Sequence, residues 1–316
     1  MKCVITGVAG FIGSHLAEKM LEEGWDVWGI DSLEPFYPRW LKEWNLEALK
    51  SSKRFVFFEE DIMKMDAEKI LDGASFIFHL AAQPGVIYSW GKNFEIYVKN
   101  NILTTQRLLE EIKDKDIKFV YISSSSVYGD SPIPMREENL PSPVSPYGVT
   151  KLAGEKLVEL YSKNYGVRSV IFRYFSVYGP RQRPDMAFHK FLRAIEEKRE
   201  IEIYGDGKSS RDFTYVKDIV EGTYLGREKE GIYNLGSGKR YRINEVLEII
   251  HRITGKEAKI KKTGEKKGEI RHTLACIEKA KEFGYNPKTS LEAGIEKEWE
   301  WIKEMIRREK CVDSLQ

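Results

Sequence analysis

Cys3-Val4-Ile5-Thr6-Gly7-Val8-Ala9-Gly10-Phe11-Ile12-Gly13 runs from an apolar tripeptide into three evenly spaced glycines, and the helical pattern of Leu16, Met20 and Leu21 follows. The order implied is strand, glycine turn, helix. Gly7 permits the tight turn, Gly10 lets a backbone approach a pyrophosphate, and Gly13 lets the helix pack close to the strand; the helix amino terminus, opening at Phe11 and Ile12, then faces the anion. Three glycines alone describe an ordinary turn. The context adds weight, because Asp26-Val27-Trp28-Gly29-Ile30 reads as a second strand ending in Asp31, about 20 residues past the glycines, where a carboxylate accepts from ribose hydroxyls. A carboxylate there repels a 2'-phosphate, so NAD is favoured over NADP. Arg39, further on, is a lone cation and reads as surface.

The alternation continues. Phe55-Val56-Phe57-Phe58 leads to Asp61-Ile62, and Phe76-Ile77-Phe78 leads to His79-Leu80-Ala81-Ala82-Gln83. After a helical stretch through Ile102, Leu108 and Leu109 comes Phe119-Val120-Tyr121-Ile122, which ends in four serines, Ser123 to Ser126. Apolar strands separated by helices imply right-handed crossovers and an α/β fold with a doubly wound parallel sheet. Ligands of such sheets lie beyond the carboxyl ends of the strands. Candidate site residues are therefore Gly7 to Gly13, Asp31, Asp61, Ala81 to Gln83 and Ser123 to Ser126. His79, flanked by apolar residues, reads as packing.

The 316 residues suffice for one large domain or two lobes. Charged residues make up 32% of the chain, but 51 basic against 49 acidic leaves a net charge of +2, with no basic block or stripe to suggest nucleic acid or a membrane as partner. Cys3, Cys276 and Cys311 are scattered without metal-ligand spacing, which argues for free thiols, no metal and a reducing compartment. The amino terminus enters a strand without a signal peptide's apolar run, and no apolar stretch approaches the length of a membrane span. A soluble, cytoplasmic protein is expected.

Tyr-x-x-x-Lys occurs three times, at Tyr88/Lys92, Tyr147/Lys151 and Tyr204/Lys208. Position selects among them. Tyr88/Lys92 falls in a Trp/Gly-containing loop and Tyr204/Lys208 in the turn Gly205-Asp206-Gly207, whereas Tyr147/Lys151 opens a long helical stretch after a loop with Pro141, Pro143 and Pro146. One turn apart, its two side chains share a helix face. A tyrosine acting as base near neutral pH needs its pKa pulled down from about 10, which a nearby ammonium achieves by stabilising the phenolate. A serine at the end of the preceding strand, Ser124, can relay the proton or hold the substrate oxygen. Alone, Tyr147 and Lys151 would be a packing residue and a solvated lysine; with Ser124 and the glycine turn they read as chemistry.

These residues resemble the extended short-chain dehydrogenase/reductase family, specifically its NAD-dependent nucleotide-sugar epimerases and dehydratases. The resemblance spans nearly the whole chain, through Thr6 to Gly13, His79 to Ala82, Asn100, Ser123 to Gly129, Tyr147/Lys151, Arg173-Tyr174-Phe175-Ser176, Arg211-Asp212-Phe213 and Tyr233-Asn234-Leu235-Gly236. It implies that Tyr147 deprotonates the sugar 4-hydroxyl while carbon 4 gives a hydride to NAD. Lys151 depresses the pKa of that tyrosine and binds the nicotinamide ribose, and Ser124 binds the 4-oxygen. The keto sugar then turns and takes the hydride back on its other face. Ile62, Leu80, Asn100, Ser123 and Phe175 are implied as further cofactor contacts.

Dehydratases of the family carry Thr-Asp-Glu before Val-Tyr-Gly, and this chain has Ser124-Ser125-Ser126 before Val127-Tyr128-Gly129. Without those carboxylates elimination lacks its acid and base. The resemblance is closest to UDP-glucose and UDP-glucuronate 4-epimerases, and a UDP-hexose is the expected substrate. Arg181 or Arg183 offers a planar fork to a carboxylate or diphosphate, although loop arginines are as often solvated. Ser125 is implied to line the substrate, Tyr204 sits where the nucleobase passes, Arg211 matches a diphosphate-binding arginine, and Lys266 and Glu269 stand where an arginine and an aspartate often grip the nucleotide. Ser176 replaces the asparagine of many UDP-galactose 4-epimerases with a small hydroxyl found in the glucuronate branch. Ile87 brings no positive charge. The expected domains are residues 1–173 with a return segment 211–234 for NAD, and 174–210 with 235–316 for the sugar nucleotide; the family implies a homodimer through the helices near Asn100 to Ile112 and Lys151 to Tyr165. Alternatives are a dehydratase or reductase and, from another class, a non-catalytic dinucleotide sensor, which would need only the glycine turn and Asp31.

Overall fold

In this computed structural model, residues 1–257, 259–264, 268 and 270–313 are described. Strands β1 (Lys2–Thr6), β2 (Asp26–Ile30), β3 (Phe55–Phe58), β4 (Ala74–His79), β5 (Lys118–Ser124) and β6 (Ser169–Tyr174) join an edge strand, Gly231–Leu235, in a seven-stranded sheet. Every pairing is parallel. In space the order is β3-β2-β1-β4-β5-β6 and then Gly231–Leu235, so the chain winds outward from β1, returns to its other side at β4 and winds outward again. The crevice beyond the carboxyl ends opens where the direction reverses, between β1 and β4.

Period-two alternation divides the sheet between two cores. Cys3 and Ile5 share one with Phe76, Phe78, Val120 and Phe172, while Val4 shares the other with Ile77, Phe119, Tyr121 and Ile171. With both faces covered by helices, the strands read as continuous apolar runs. Helix α1 (Phe11–Glu22) can approach β1 because two glycines allow it. Gly7 has φ +71°, and a Cβ on Gly13 would stand 2.1 Å from the Gly7 carbonyl oxygen.

After β6 the chain leaves the large sheet and forms short two-stranded pairs. Ser176–Tyr178 pairs with Phe213–Tyr215, Ser210–Arg211 with Tyr241–Arg242, and Ile201–Tyr204 with Ile260–Thr263. Helices Ala187–Glu196, Ile243–Thr254 and Leu291–Asp313 pack around these short pairs. The last of them also reaches back to helix α2 (Arg39–Lys50), where Trp301 stacks on Trp44 with ring centroids 5.3 Å apart.

The helix Pro146–Tyr165 starts with Ser145 accepting from the Gly148 amide at 3.1 Å and ends at Gly166 in the left-handed conformation. It is locked to the sheet by charge. Glu155 is wholly buried and accepts from Arg173 of β6 at 2.9 and 2.7 Å and from the Ser123 hydroxyl of β5 at 2.5 Å. Arg173 also lies over the Tyr128 ring, 4.7 Å from its centroid. Removing one member of such a pair strands the other charge in the interior, which costs about 3–5 kcal/mol. Glu155→Ala is therefore expected to lower the denaturation midpoint by that equivalent, and Glu155→Leu with Arg173→Met by less. A single-variant midpoint equal to that of the parent chain would rule the pair out as the lock.

Candidate functional site

A cleft of about 440 Å³ lies beyond the carboxyl ends of the central strands. One wall is the turn after β1 and the first turn of α1, with Gly7, Gly10, Phe11, Ile12 and Gly13 at its surface. No side chain caps that helix, so its first-turn amides remain as donors toward the cleft. Asp31, at the end of β2, accepts from the amides of Leu33 and Ala9 at 2.8 and 3.1 Å. Burial pushes its pKa up; the ammonium of Lys42, 3.8 Å away, and the two amides oppose this. Lys42 carried no sequence signal. Arg39 stands apart from the cleft and is paired with Glu43 and Glu59.

Asp61 and Ile62 continue the cleft after β3, and Leu80, Ala81, Ala82 and Gln83 after β4. Asp61 accepts from Lys99 at 2.8 Å. Lys99 and Asn100 belong to a π-helical turn, Val98–Leu103, within an otherwise α-helical segment. Asn100 lines the cleft, whereas Asn101 points inward and exchanges bonds with the Gln83 backbone at 2.6 and 3.1 Å. Its amide also donates to Thr150 at 2.9 Å, so one side chain ties the loop after β4 to the helix bearing Tyr147 and Lys151. His79 is buried between the hydroxyls of Thr6 and Thr105. Burial holds its pKa down to about 3, which makes it a neutral packing residue.

On the far side of the cleft are Ser123, Ser124 and Ser125 at the end of β5, Tyr147 and Lys151 on the following helix, and Phe175 and Ser176 after β6. The Ser124 hydroxyl faces the same cleft as Tyr147 and favours its phenolate, and it donates to the Ser126 hydroxyl at 3.2 Å. The helix places Lys151 one turn beyond Tyr147, with its ammonium over the Tyr121 ring at 4.6 Å. Burial raises the Tyr147 pKa, and the influences opposing it are the Ser124 hydroxyl and the charge of Arg183, not that of Lys151. Lys151 is itself only 4% exposed, and burial brings its pKa down to about 7 against the opposing pull of Glu155. Of the other two Tyr-x-x-x-Lys matches, Tyr88 projects from a short 3-10 turn and Tyr204 ends a lobe strand; neither lines this cleft.

The two loop arginines go different ways. Arg183 lines the cleft with its guanidinium doubly bonded to Asp185 at 2.9 and 3.0 Å, while Arg181 turns to α1 and pairs with Glu18 at 2.5 Å. Arg211 lies outside the residues lining the cleft and donates to the Arg271 carbonyl at 2.9 Å. Lys266 and Glu269 lie outside the described residues. Among the described residues no group of acidic, histidine and cysteine side chains could hold a metal, and no helix is long and apolar enough to cross a membrane. Two residues supporting the site had signals that spacing alone could have flagged. Glu155 falls one turn past Lys151, and Arg173 interrupts an apolar strand, where a charge needs a partner.

Comparison with known proteins agrees with this architecture. The model of the GDP-mannose 4,6 dehydratase family matches residues 4–298. A UDP-glucuronate 4-epimerase of Thermodesulfobacterium geofontis is 40% identical over 318 residues, covering 98% of each chain. An uncharacterized UDP-glucose epimerase of Bacillus subtilis is 42% identical over 316 residues, covering 98% of this chain and all of that one. The crystal structure of a UDP-glucuronic acid 4-epimerase from Bacillus cereus, in complex with UDP-glucuronic acid and NAD, superposes with a TM-score of 0.94 at 43% identity, covering 96% of this chain and all of the other. With a parallel seven-stranded sheet, an uncapped helix over the cleft and a family match along almost its whole length, the chain belongs to the GDP-mannose 4,6 dehydratase family.

Proposed function

We propose that the protein is an NAD-dependent 4-epimerase of a UDP-hexose, with UDP-glucuronate as its preferred substrate. The observation that carries this reading is the meeting of Ser124, Tyr147 and Lys151 in one cleft, opposite the uncapped start of α1, with hydroxyls instead of carboxylates at Ser125 and Ser126. The Bacillus cereus structure, which holds UDP-glucuronic acid and NAD, supports it. The residues present suit the dinucleotide. Free first-turn amides and a glycine turn that a Cβ would block fit the diphosphate, and Asp31 fits the ribose.

When bound, NAD supplies the acceptor, and then the donor, of the hydride at carbon 4. Tyr147 Oη takes the proton of the 4-hydroxyl as that carbon is oxidised and returns it as the carbon is reduced from the other face, so protons and electrons balance over the cycle. Ser124 Oγ holds the 4-oxygen through both steps. Lys151 binds the ribose. Elimination to a 4,6-dehydrated sugar has no acid or base at Ser125 and Ser126. Ser176 and Arg183 face the same cleft and give a uronate carboxylate a hydroxyl and a guanidinium. We assign Ile62, Leu80, Asn100, Ser123 and Phe175 to the cofactor, and Tyr204, Arg211, Lys266 and Glu269 to the nucleotide of the substrate. The dinucleotide domain then comprises residues 1–173 and 211–234, and the rest forms the substrate lobe.

A homodimer and a cytoplasmic location complete the reading. Leu103, Val149, Leu160 and Tyr165 are between 45% and 53% exposed on the two helical segments the family uses for association. Cys3, Cys276 and Cys311 are not joined in a disulfide, which suits a reducing compartment. The wild-type chain is expected to sediment at twice its own mass and Leu160→Glu at the monomer mass; a monomeric wild type would remove the dimer.

The activity is tested by incubating the NAD-loaded protein with UDP-glucuronate, UDP-glucose and UDP-N-acetylglucosamine and resolving the products. Interconversion at carbon 4, fastest with UDP-glucuronate, is expected; unchanged sugars throughout, or accumulation of a 4-keto product, would overturn it. Tyr147→Phe should keep NAD while losing at least about a hundredfold in turnover.

Lys151 gives the ligand-free protein a pH signature. Its folded pKa of about 7 lies below its unfolded value of 10.5, so within that window the unfolded chain binds the extra proton and stability rises with pH, by at most about 1.4 kcal/mol per unit. Lys151→Met should flatten this rise between about pH 7 and pH 9, before tyrosines titrate. Equal slopes in the two proteins would refute the assigned charge state.

A further inference from the structure

Residues Gly179 to Arg183 connect the two walls of the cleft. The loop is fixed to the smaller lobe at three points. The Gly179 amide donates to buried Glu298 at 2.7 Å, the Gln182 side chain donates to the Val177 carbonyl at 3.1 Å and accepts from the His189 amide at 2.9 Å, and the Gln182 carbonyl meets His189 Nδ1 at 2.8 Å. Between these anchors Arg181 has φ +68°, a left-handed conformation that a residue with a side chain rarely adopts unless its surroundings hold it there. What holds it is α1. The guanidinium bonds Glu18 at 2.5 Å and the Ser14 hydroxyl at 3.2 Å, more than 160 residues earlier in the chain. Two residues on, Arg183 lines the cleft.

We infer that Arg181 is a positioning residue: by clasping α1 it sets the gap between the cofactor-side wall of the cleft and Arg183 on the substrate side. The inference rests on the 4-epimerase reading for the identity of what fills that gap. It differs from a substrate contact, because the Arg181 fork is engaged by Glu18 and Ser14 of α1 and is not among the residues lining the cleft. The lobe anchors alone fix Arg183 relative to the lobe. Only the clasp on α1, among the hydrogen bonds made by this loop in the described residues, fixes it relative to the glycine turn. Without the clasp, the left-handed residue is free to relax and the loop can draw away from α1, so binding should weaken through Arg183 rather than through a lost contact of Arg181 itself.

A double-mutant cycle reads this directly. With NAD-loaded protein, KM and kcat are measured for the UDP sugar turned over best, and Kd is measured by calorimetry for the UDP sugar bound best, in the wild type, Arg181→Ala, Arg183→Ala and the double variant. Arg181→Ala should raise KM and Kd about tenfold in the wild-type background, with NAD content unchanged, and by less than about twofold in the Arg183→Ala background. Glu18→Gln should move in the same direction, and Arg181→Lys, whose ammonium still meets Glu18, should recover part of the loss. The same factor in both backgrounds, or no change in the first, would overturn the assignment. If Arg181→Ala does not fold, Glu18→Gln carries the same cycle with the same criteria. Failure of the underlying reading is separable. Binding without epimerisation would refute the reaction while the cycle is still decided in Kd, and no binding of any UDP sugar would overturn both.

Discussion

The ion pair between Glu155 and Arg173 is the constraint on which the site depends. Both charges are out of water, a situation that is tolerable only while each satisfies the other, and three elements supply the partners: the Pro146–Tyr165 helix, β5 through Ser123, and β6 through Arg173. Tyr147, Lys151 and Glu155 follow one another at one-turn intervals on a single helix face. Anchoring the third residue to the ends of β5 and β6 therefore fixes the register of the first two. A slip of the helix by one turn would break three charge-assisted bonds at once, and Tyr147 stays beside Ser124 in the cleft because that slip is prohibited.

The same carboxylate bears on the charge of Lys151. An ammonium this deeply buried would be still further from its ordinary pKa without a negative neighbour, and Glu155 is that neighbour even though its oxygens are occupied by Arg173 and Ser123. Lys151 thus sits close to the midpoint of its titration near neutral pH in the ligand-free chain. The phenol of Tyr147 is shifted the other way, because burial disfavours its anion, and the cation opposing this is Arg183 from the opposite lobe. Control of the Tyr147 hydroxyl is consequently divided between the sheet, which places Ser124, and the loop that places Arg183.

What was legible in the sequence followed from short-range rules. Glycines three apart between an apolar run and a helical pattern leave few conformations open, and the apolar runs marked the strands well enough to place Asp31, Asp61, Ala81 to Gln83 and Ser123 to Ser126 at carboxyl ends that line the cleft. Choosing Tyr147 from three identical spacings needed only its position after a strand-end serine cluster. The residues that escaped are those whose partners are distant in the chain. Asn101 joins Gln83 to Thr150 and Lys42 approaches Asp31, yet each looks in sequence like any other polar residue beside a helix or turn, and Arg181, read as a fork for the substrate, crosses to Glu18 of α1 instead. The π turn at Val98–Leu103 is likewise silent, since one extra residue in a helical turn barely disturbs the apolar period.

The pairing of Arg183 with Asp185 bears on how a uronate and a neutral hexose would differ in this cleft. A guanidinium carries five donors, and Asp185 occupies two of them, on Nε and Nη2. The edge formed by Nη1 and the second proton of Nη2 is not used by that pair. Asp185 therefore orients the fork without consuming it, and a substrate carboxylate can be received in bidentate geometry while the existing pair persists. The gain would be larger than for a solvated arginine, because most of the ordering entropy of the side chain is spent before the substrate arrives. A neutral hexose would leave the same edge to water and gain nothing from its being fixed. On the epimerase reading, preference for the uronate is then a property of how firmly the loop holds Arg183, and so of Asp185 beside it and of the contacts that anchor residues 179–182, as much as of the guanidinium itself.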